Sequence, residues 1–197
     1  MSSARQTCVL TFDLECWDEG DWLQPHLASA PVADPASDRA ITERLMALLE
    51  AANATATFFV TTRFLERYPE TVEALHAAGH EIGTHGPRHL RLQRQEPAAF
   101  RTDVREQKRR LAALGGIVPA GYRAPHFSLE ARTAWVLPIL KEEGYVYDSS
   151  QFAAAGLEYG SSRAPNGPYL IGTPAGPCRE IPVPGLPCGP WRLPFAG

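Results

Sequence analysis

The chain of 197 residues predicts an α/β fold built on a parallel sheet, and three observations support that prediction. Short apolar runs suited to buried strands alternate with longer segments that have helical periodicity. Charged and imidazole side chains directly follow several of the apolar runs, where the predicted strands end. Glycine and proline, which break regular structure, are concentrated toward the C-terminus, and the alternation of strands and helices is predicted in the part of the chain before that segment.

The first strand is predicted over residues 8–15, where apolar side chains alternate before an acidic end. The first helix is predicted over residues 38–52, with Ser37 or Asp38 as its N-cap. Its apolar positions recur at helical spacing and form one face, which consists of Ile41, Leu45, Leu48 and Leu49. This face is expected to pack against the sheet.

The pattern then repeats along the chain. A second strand is predicted over residues 55–60, and a helix starts at Pro69, a residue suited to the first helical turn, and stops at Gly79. A third strand follows over residues 80–84, and a long helix is closed by a glycine pair at residues 115–116. The remaining elements of this part are a strand over residues 120–123, a helix over residues 131–143 and a strand over residues 145–148.

The last segment of the chain has a different composition. From residue 149 onward it holds nine of the 18 prolines and eight of the 16 glycines, so it cannot be mostly helical. We predict loops around one or two short strands, at residues 169–172 and 179–183. The chain ends on apolar residues without a polar tail, so we expect one domain over residues 1–197 that lacks its C-terminal end.

The bulk properties exclude several function classes. A net charge of −3 and a pI near 6.1 give no electrostatic reason to expect a nucleic-acid partner. No apolar run is long enough to span a bilayer, and the N-terminus shows no secretory pattern, so a cytoplasmic protein is expected. The sequence does not indicate an oligomeric state.

Chemically versatile residues fall at the carboxyl ends of the predicted strands. Asp13 and Glu15 end the first strand and His85 follows the third, while Arg123 and Asp148 end the fourth and fifth. Active sites in parallel α/β folds form at this edge of the sheet. The convergence therefore indicates an enzyme.

A metal site is the chemistry that these residues suit best. His85 and His89 are four residues apart, so on a helical turn both rings would face one ion. Asp13 and Glu15 are two residues apart and would share one face of a strand. Two imidazoles and a carboxylate with open positions are what a water-activating metal site requires.

The order of these motifs resembles the polysaccharide deacetylase family, also described as the NodB-homology domain. The matching motifs, in order, are Thr11-Phe12-Asp13, His85-x-x-x-His89, Arg123-Ala124-Pro125-His126-Phe127 and Tyr147-Asp148-Ser149-Ser150. The resemblance covers roughly residues 7–183 and implies a distorted, incomplete (β/α) barrel. The Asp13-Leu14-Glu15 arrangement resembles a bacterial branch associated with exopolysaccharide biosynthesis.

The chain departs from the family pattern at two places. Leu14 stands where the family has a second aspartate that ligates the metal, and Glu15 is expected to replace it from the face that carries Asp13. The family also has a late histidine that acts as general acid, whereas no histidine follows His126 in this chain. His126 is then a substrate-wall residue, a replacement proton donor or an exposed side chain, and His26 is another candidate donor.

The resemblance implies a role for each candidate residue. Glu15, His85 and His89 would hold the metal, and Asp13 would accept a proton from water while Arg123 fixes it. Asp148 would belong to the same hydrogen-bonded shell. The substrate would contact His126, Phe127 and Trp17, whose aromatic rings suit sugar faces.

The function implied is the metal-dependent removal of N-acetyl groups from N-acetylglucosamine-type carbohydrate polymers. Zinc is the expected ion, while Co²⁺, Ni²⁺ or Fe²⁺ would also fit these ligands. Two alternatives stay open at this point. One is a hydrolase of small amides, of the deformylase or allantoin type, and the other is a non-catalytic carbohydrate-binding relative that has lost the general acid.

Overall fold

The computed structural model of the chain describes residues 8–19, 36–154, 164–189 and 191–194. The helices are α1 (Ala36–Ala51), α2 (Thr62–Arg67), α3 (Pro69–Ala77), α4 (Pro97–Gly115) and α5 (Val136–Glu142). The strands are β1 (Thr11–Leu14), β2 (Thr57–Val60), β3 (Glu81–Thr84), β4 (Gly121–Tyr122), β5 (Tyr147–Asp148), β6 (Tyr169–Ile171), β7 (Cys178–Glu180), β8 (Gly185–Cys188) and β9 (Trp191–Pro194). Short 3₁₀ turns cover Leu92–Arg94, Pro125–Phe127 and Ala131–Thr133.

The described strands form one large sheet and a separate hairpin. The seven-stranded sheet has the order β1-β2-β3-β4-β5-β7-β6, and its pairs are parallel except for the antiparallel pair of β6 and β7. The sequential parallel order confirms the predicted α/β fold. Strands β8 and β9 pair only with each other, as an antiparallel hairpin.

One side of the sheet packs tightly at its centre. A Cβ atom at Gly121 would lie 2.2 Å from the Tyr147 ring, and one at Gly83 would lie 2.6 Å from the Phe59 ring. Both rings therefore occupy space that any side chain at these two positions would need. The guanidinium of Arg123 lies over the Phe59 ring, 4.2 Å from its centroid, so this packed layer supports the polar edge above it.

The prediction that the first helix buries one apolar face of four residues is partly wrong. Leu49 is buried and Leu45 is half-buried, but Ile41 and Leu48 are 65% and 68% exposed. The helix also begins at Ala36, which places Ser37 and Asp38 inside its first turn rather than at the cap. The stripe that contacts the sheet is therefore narrower than the apolar periodicity indicated.

Several other predictions of the elements need correction. The helix predicted over residues 131–143 is split into a 3₁₀ turn and α5, since Pro138 lacks an N–H and is tolerated only in the first turn of a helix. Helix α2 was not predicted. It begins directly after β2, where the Thr61 hydroxyl accepts the N–H of Phe64 and caps the helix. The β8–β9 hairpin was not predicted either.

Candidate metal centre

The polar residues at the strand ends converge at one edge of the sheet. Arg123 Nη1 donates to Asp13 Oδ1 at 2.8 Å, although the two residues come from β1 and the end of β4. His85 Nε2 lies 3.8 Å from Asp13 Oδ2, and His89 Nε2 lies 2.9 Å from Glu15 Oε2. The convergence predicted from strand order is thus present in the geometry.

Three of these residues form a cluster that could hold a metal ion. One nitrogen or oxygen from each of Glu15, His85 and His89 lies within 4.8 Å of the other two. Asp13 is not part of this cluster, although it approaches His85. Two imidazoles and one carboxylate therefore surround a common centre, and a second carboxylate lies beside them.

The surroundings of His85 fit a metal ligand. Its Nδ1 lies 2.8 Å from the backbone carbonyl oxygen of Arg123, which can only accept, so Nδ1 carries the proton and Nε2 has the free lone pair. Nε2 is buried and has no hydrogen-bond partner among the described residues. Burial lowers the pKa of His85, which favours the neutral ring that metals bind.

The histidine pair was predicted on a helical turn, and this is wrong. Residues 85–89 form a loop after β3, in which Gly86 and His89 have φ angles of +77° and +49°. The first turn of α2 holds the loop, because Thr62 N–H donates to the Gly86 carbonyl and Arg63 N–H to the Pro87 carbonyl. The two rings, 5.1 Å apart, are brought together by left-handed backbone rather than by helical periodicity.

Glu15 lies one residue beyond the end of β1. Leu14, which stands where the family pattern has an aspartate, is buried in the apolar cluster of the sheet. Its side chain is therefore committed to the core. Glu15 is half-buried and its carboxylate reaches His89, as expected of the residue that replaces that aspartate.

Arg123 fixes Asp13 through a network of hydrogen bonds. Its Nη2 donates to the hydroxyls of Thr11 and Ser149, and its Nε donates to the Ser149 carbonyl. The guanidinium is 3% exposed and lies against Phe59, so both its plane and its charge are held in place. Asp13 Oδ2 is therefore left to face the cluster of Glu15, His85 and His89.

Asp148 lies at the end of β5 and is fully buried. Its carboxyl accepts hydrogen bonds from the Ser150 hydroxyl at 2.6 Å and the Ser150 N–H at 3.2 Å. It directly faces Glu180, its register partner on β7, which is also fully buried and was not identified from the sequence. The available signal was an acidic residue at the end of another strand in the same sheet.

The two carboxyls cannot both be ionised without a large energetic cost. Burial, with Asp148 opposite, raises the pKa of Glu180 to about 11, and burial also raises the pKa of Asp148. Glu180 accepts the N–H of Gln151 at 2.9 Å, so its orientation is fixed. The pair therefore favours a protonated form at neutral pH.

The candidate substrate residues lie in two places. His126 stacks against His89 with ring centroids 4.4 Å apart, and Phe127 lies against Arg123. Both His126 and Phe127 have left-handed backbone, with φ of +56° and +47°, a strain that is common at functional sites. Trp17 lies in the Glu15 loop, which is residues 15–19 after β1, and its backbone N–H donates to Asp38 on α1. His26, the other candidate proton donor, lies outside the described residues.

Known proteins resemble this chain in sequence. A family model described as polysaccharide deacetylase matches residues 3–147. YheN of Bacillus subtilis strain 168 is 30% identical over 146 residues, which cover 64% of this chain and 52% of YheN. The peptidoglycan-N-acetylglucosamine deacetylase of Bacillus cereus is 28% identical over 103 residues, which cover 52% of this chain and 38% of that protein. The chain thus spans about half, or less, of the length of these relatives.

Solved structures share the same fold. A crystal structure from Mycobacterium smegmatis has a TM-score of 0.69 and 28% identity, with 89% of this chain and 57% of that chain covered. Puue allantoinase has a TM-score of 0.63 at 23% identity, with 89% of this chain and 60% of that chain covered. At that identity the second likeness concerns the fold alone.

No helix in the described part of the chain has the length and apolar character to cross a membrane.

Proposed function

Because the chain belongs to the polysaccharide deacetylase family, we propose that it is a metal-dependent hydrolase that removes N-acetyl groups from N-acetylglucosamine-type carbohydrate polymers. The observation that carries this proposal is the cluster of Glu15, His85 and His89, with the buried lone pair of His85 Nε2 lacking a partner. One matched relative is named for deacetylation of N-acetylglucosamine in peptidoglycan, which supports this class of substrate. The Asp13-Leu14-Glu15 arrangement favours the exopolysaccharide-associated branch.

Glu15, His85 and His89 would hold the ion. Zinc suits two imidazoles and a carboxylate, and a bound divalent ion supplies the Lewis acidity that activates water and polarises a carbonyl at neutral pH. The neutral state of His85 and its hydrogen bond to the Arg123 carbonyl preorganise this ligand.

Asp13 would act as the base of the reaction. Hydrolysis adds the oxygen of water to the acetyl carbon and breaks the C–N bond. The departing nitrogen gains a proton and leaves as the amine, and the attacking water must lose a proton. Asp13 Oδ2 faces the cluster and can accept that proton, while Oδ1 is held by Arg123. The fixed guanidinium keeps Asp13 in place during the transfer.

His126 and Phe127 would contact the sugar, and Trp17 would extend that surface. Their placement beside His89, Arg123 and the Glu15 loop supports this role, since aromatic rings bury apolar sugar faces. The backbone N–H of His126 would help to hold the developing oxyanion, as the family resemblance implies.

An acetate-release assay tests the proposal. Purified protein would be treated with a chelator and reconstituted with Zn²⁺, Co²⁺ or Ni²⁺, then incubated with chitooligosaccharides, peptidoglycan and poly-N-acetylglucosamine. We expect metal-dependent acetate release from at least one polymer, and release that is lower by about 10²–10⁴-fold from a parallel Asp13→Asn preparation that still contains metal. Acetate release that the chelator does not change, or metal-loaded protein inert on all three polymers, would refute the proposal.

A further inference from the structure

A buried carboxylate outside the ligand cluster lies close to the Glu15 loop. Glu19 is 4% exposed, and its Oε2 accepts the N–H of Cys16 at 2.6 Å and the hydroxyl of Thr61 at 2.8 Å. The Glu19 N–H in turn donates to the Cys16 carbonyl at 2.9 Å. The side chain and the backbone N–H of Glu19 thus both bond to the backbone of Cys16, and residues 16–19 form a closed turn.

The hydrogen bond from Cys16 N–H acts directly on the metal ligand. That N–H belongs to the peptide unit that joins Glu15 to Cys16, so its orientation sets the ψ angle of Glu15. Strand β1 ends at Leu14, and its pairing with β2 therefore does not extend to Glu15. The Glu19 carboxylate supplies this constraint instead and so helps to direct the Glu15 side chain toward His89.

Thr61 connects the same turn to the histidine loop. Its N–H donates to the Leu14 carbonyl, and its hydroxyl donates to Glu19. The next two residues, Thr62 and Arg63, donate their N–H groups to the carbonyls of Gly86 and Pro87. Three consecutive residues after β2 thus hold the loops that carry all three ligands. Glu19 joins the Glu15 loop to Thr61, and Asp18 joins it to the Arg63 guanidinium.

Burial disfavours the ionised form of the Glu19 carboxylate. Removing it from water raises the pKa of Glu19, and the hydrogen bonds from Cys16 and Thr61 act in the opposite direction. An alanine here would bury no charge, but it would leave the Cys16 N–H and the Thr61 hydroxyl without their acceptor. The geometry therefore indicates that the hydrogen bonds are what this residue contributes.

We propose that Glu19 is a positioning residue of the metal centre, which orients the Glu15 ligand through the Cys16 N–H and couples it to the histidine loop through Thr61. This inference rests on the proposed function only in requiring that Glu15, His85 and His89 bind a divalent ion. It concerns the affinity and geometry of that ion and does not depend on which sugar or amide is hydrolysed.

The test measures Zn²⁺ affinity, by competition with a chelator, and the visible spectrum of the Co²⁺ form. We expect Glu19→Ala to weaken Zn²⁺ binding by about 10–100-fold and to alter the Co²⁺ spectrum, as is typical when a residue behind a ligand is removed. Glu19→Gln keeps a carbonyl oxygen that can accept both hydrogen bonds, so its affinity should stay within about threefold of the wild type.

The matched control is Thr133→Ala. The Thr133 hydroxyl is also buried and accepts a loop N–H, that of Glu130 at 2.8 Å, but in a loop that carries no metal ligand. Zn²⁺ affinity and the Co²⁺ spectrum should be unchanged in this variant. If Glu19→Ala fails to fold, Glu19→Met removes both carboxylate oxygens at similar volume, keeps the Thr61 hydroxyl that caps α2 and should also weaken Zn²⁺ binding.

Wild-type affinity in Glu19→Ala would overturn the inference, as would wild-type affinity in Glu19→Met if that variant replaces it. An equal loss in Glu19→Gln would mean that charge rather than hydrogen bonding matters, and an equal loss in Thr133→Ala would mean general destabilisation. Either result also overturns the inference. Wild-type protein that binds no metal would refute the inference together with the metal centre. Protein that binds metal but releases no acetate would refute only the proposed reaction, because the affinity comparison does not involve turnover.

Discussion

Two acidic clusters lie at the same edge of the sheet, and their environments differ. In the metal centre, the side chains of Asp13 and Glu15 are 25% and 37% exposed. In the second cluster, on β5 and β7, Asp148 and Glu180 are fully buried and face each other in register. Arg123 lies between the clusters, since it binds Asp13 directly and Ser149, the neighbour of Asp148.

The difference shows how each cluster limits its negative charge. The buried pair favours a protonated form, because two carboxylates removed from water cannot both stay ionised. The exposed carboxylates lie beside His85 and His89, where a cation can balance them. Metal binding is therefore expected to depend on the first cluster. The pH dependence of the free energy of unfolding is expected to depend on the β5–β7 pair.

The largest expected effect is loss of the metal. His85→Ala combined with His89→Ala removes both imidazole ligands, and metal content by elemental analysis should fall from near one equivalent per chain to almost none. His76→Ala is the matched control, because His76 is an exposed histidine on α3. Equal metal content in the double variant and the control would refute the ligand assignment.

The next largest effect concerns the base. Asp13→Asn keeps an oxygen that can accept from Arg123 but cannot take a proton from water. Acetate release should fall by about 10²–10⁴-fold, the typical contribution of a general base, while metal content stays at the wild-type level. Turnover that persists in this variant would make Asp13 a structural residue.

The buried pair predicts a pH-dependent stability. Glu180 in the unfolded chain ionises near 4.5, whereas burial opposite Asp148 raises its pKa in the folded protein to about 11. Unfolding between these values releases a proton, so the free energy of unfolding should decrease as pH rises, by up to about 1.4 kcal/mol per pH unit. Glu180→Gln cannot titrate and should flatten this decrease in denaturant titrations from pH 5 to pH 9. Parallel pH dependence of the variant and the wild type would refute the raised pKa of Glu180.

The smallest effect is expected at the substrate platform. Trp17→Ala should raise KM by about 2–10-fold with little change in kcat, because a stacking contact contributes about 0.5–1.5 kcal/mol to binding. Steady-state kinetics on the best polymer would measure both constants. An unchanged KM would place Trp17 outside the substrate site and leave it tied to α1 through Asp38.

The sequence predicted the order of the elements and the residues that meet at the sheet edge. Both follow from local signals, since apolar runs specify strands and strand ends in a parallel sheet share one edge. It did not predict how His85 and His89 converge, because the left-handed backbone at Gly86 and His89 is set by the packing of the loop on α2. The spacing of the histidines correctly indicated that the two rings lie close together, but the helical turn inferred from that spacing was wrong.

Other features depend on contacts between distant parts of the chain. Glu180 becomes significant only when β7 pairs with β5 and places it opposite Asp148. The role inferred for Glu19 requires Thr61, which follows a different strand. Ile41 and Leu48 show the converse, since apolar character at helical spacing did not lead to their burial.

The central claim is that Glu15, His85 and His89 hold one divalent ion. Anomalous diffraction at the zinc edge from crystals grown with Zn²⁺ tests it most directly. We expect one peak within about 2.0–2.2 Å of an atom from each of the three side chains, the usual range for zinc with nitrogen and oxygen ligands. Zinc bound elsewhere with no peak among these three residues, or a peak there that one of them does not contact, would contradict the claim.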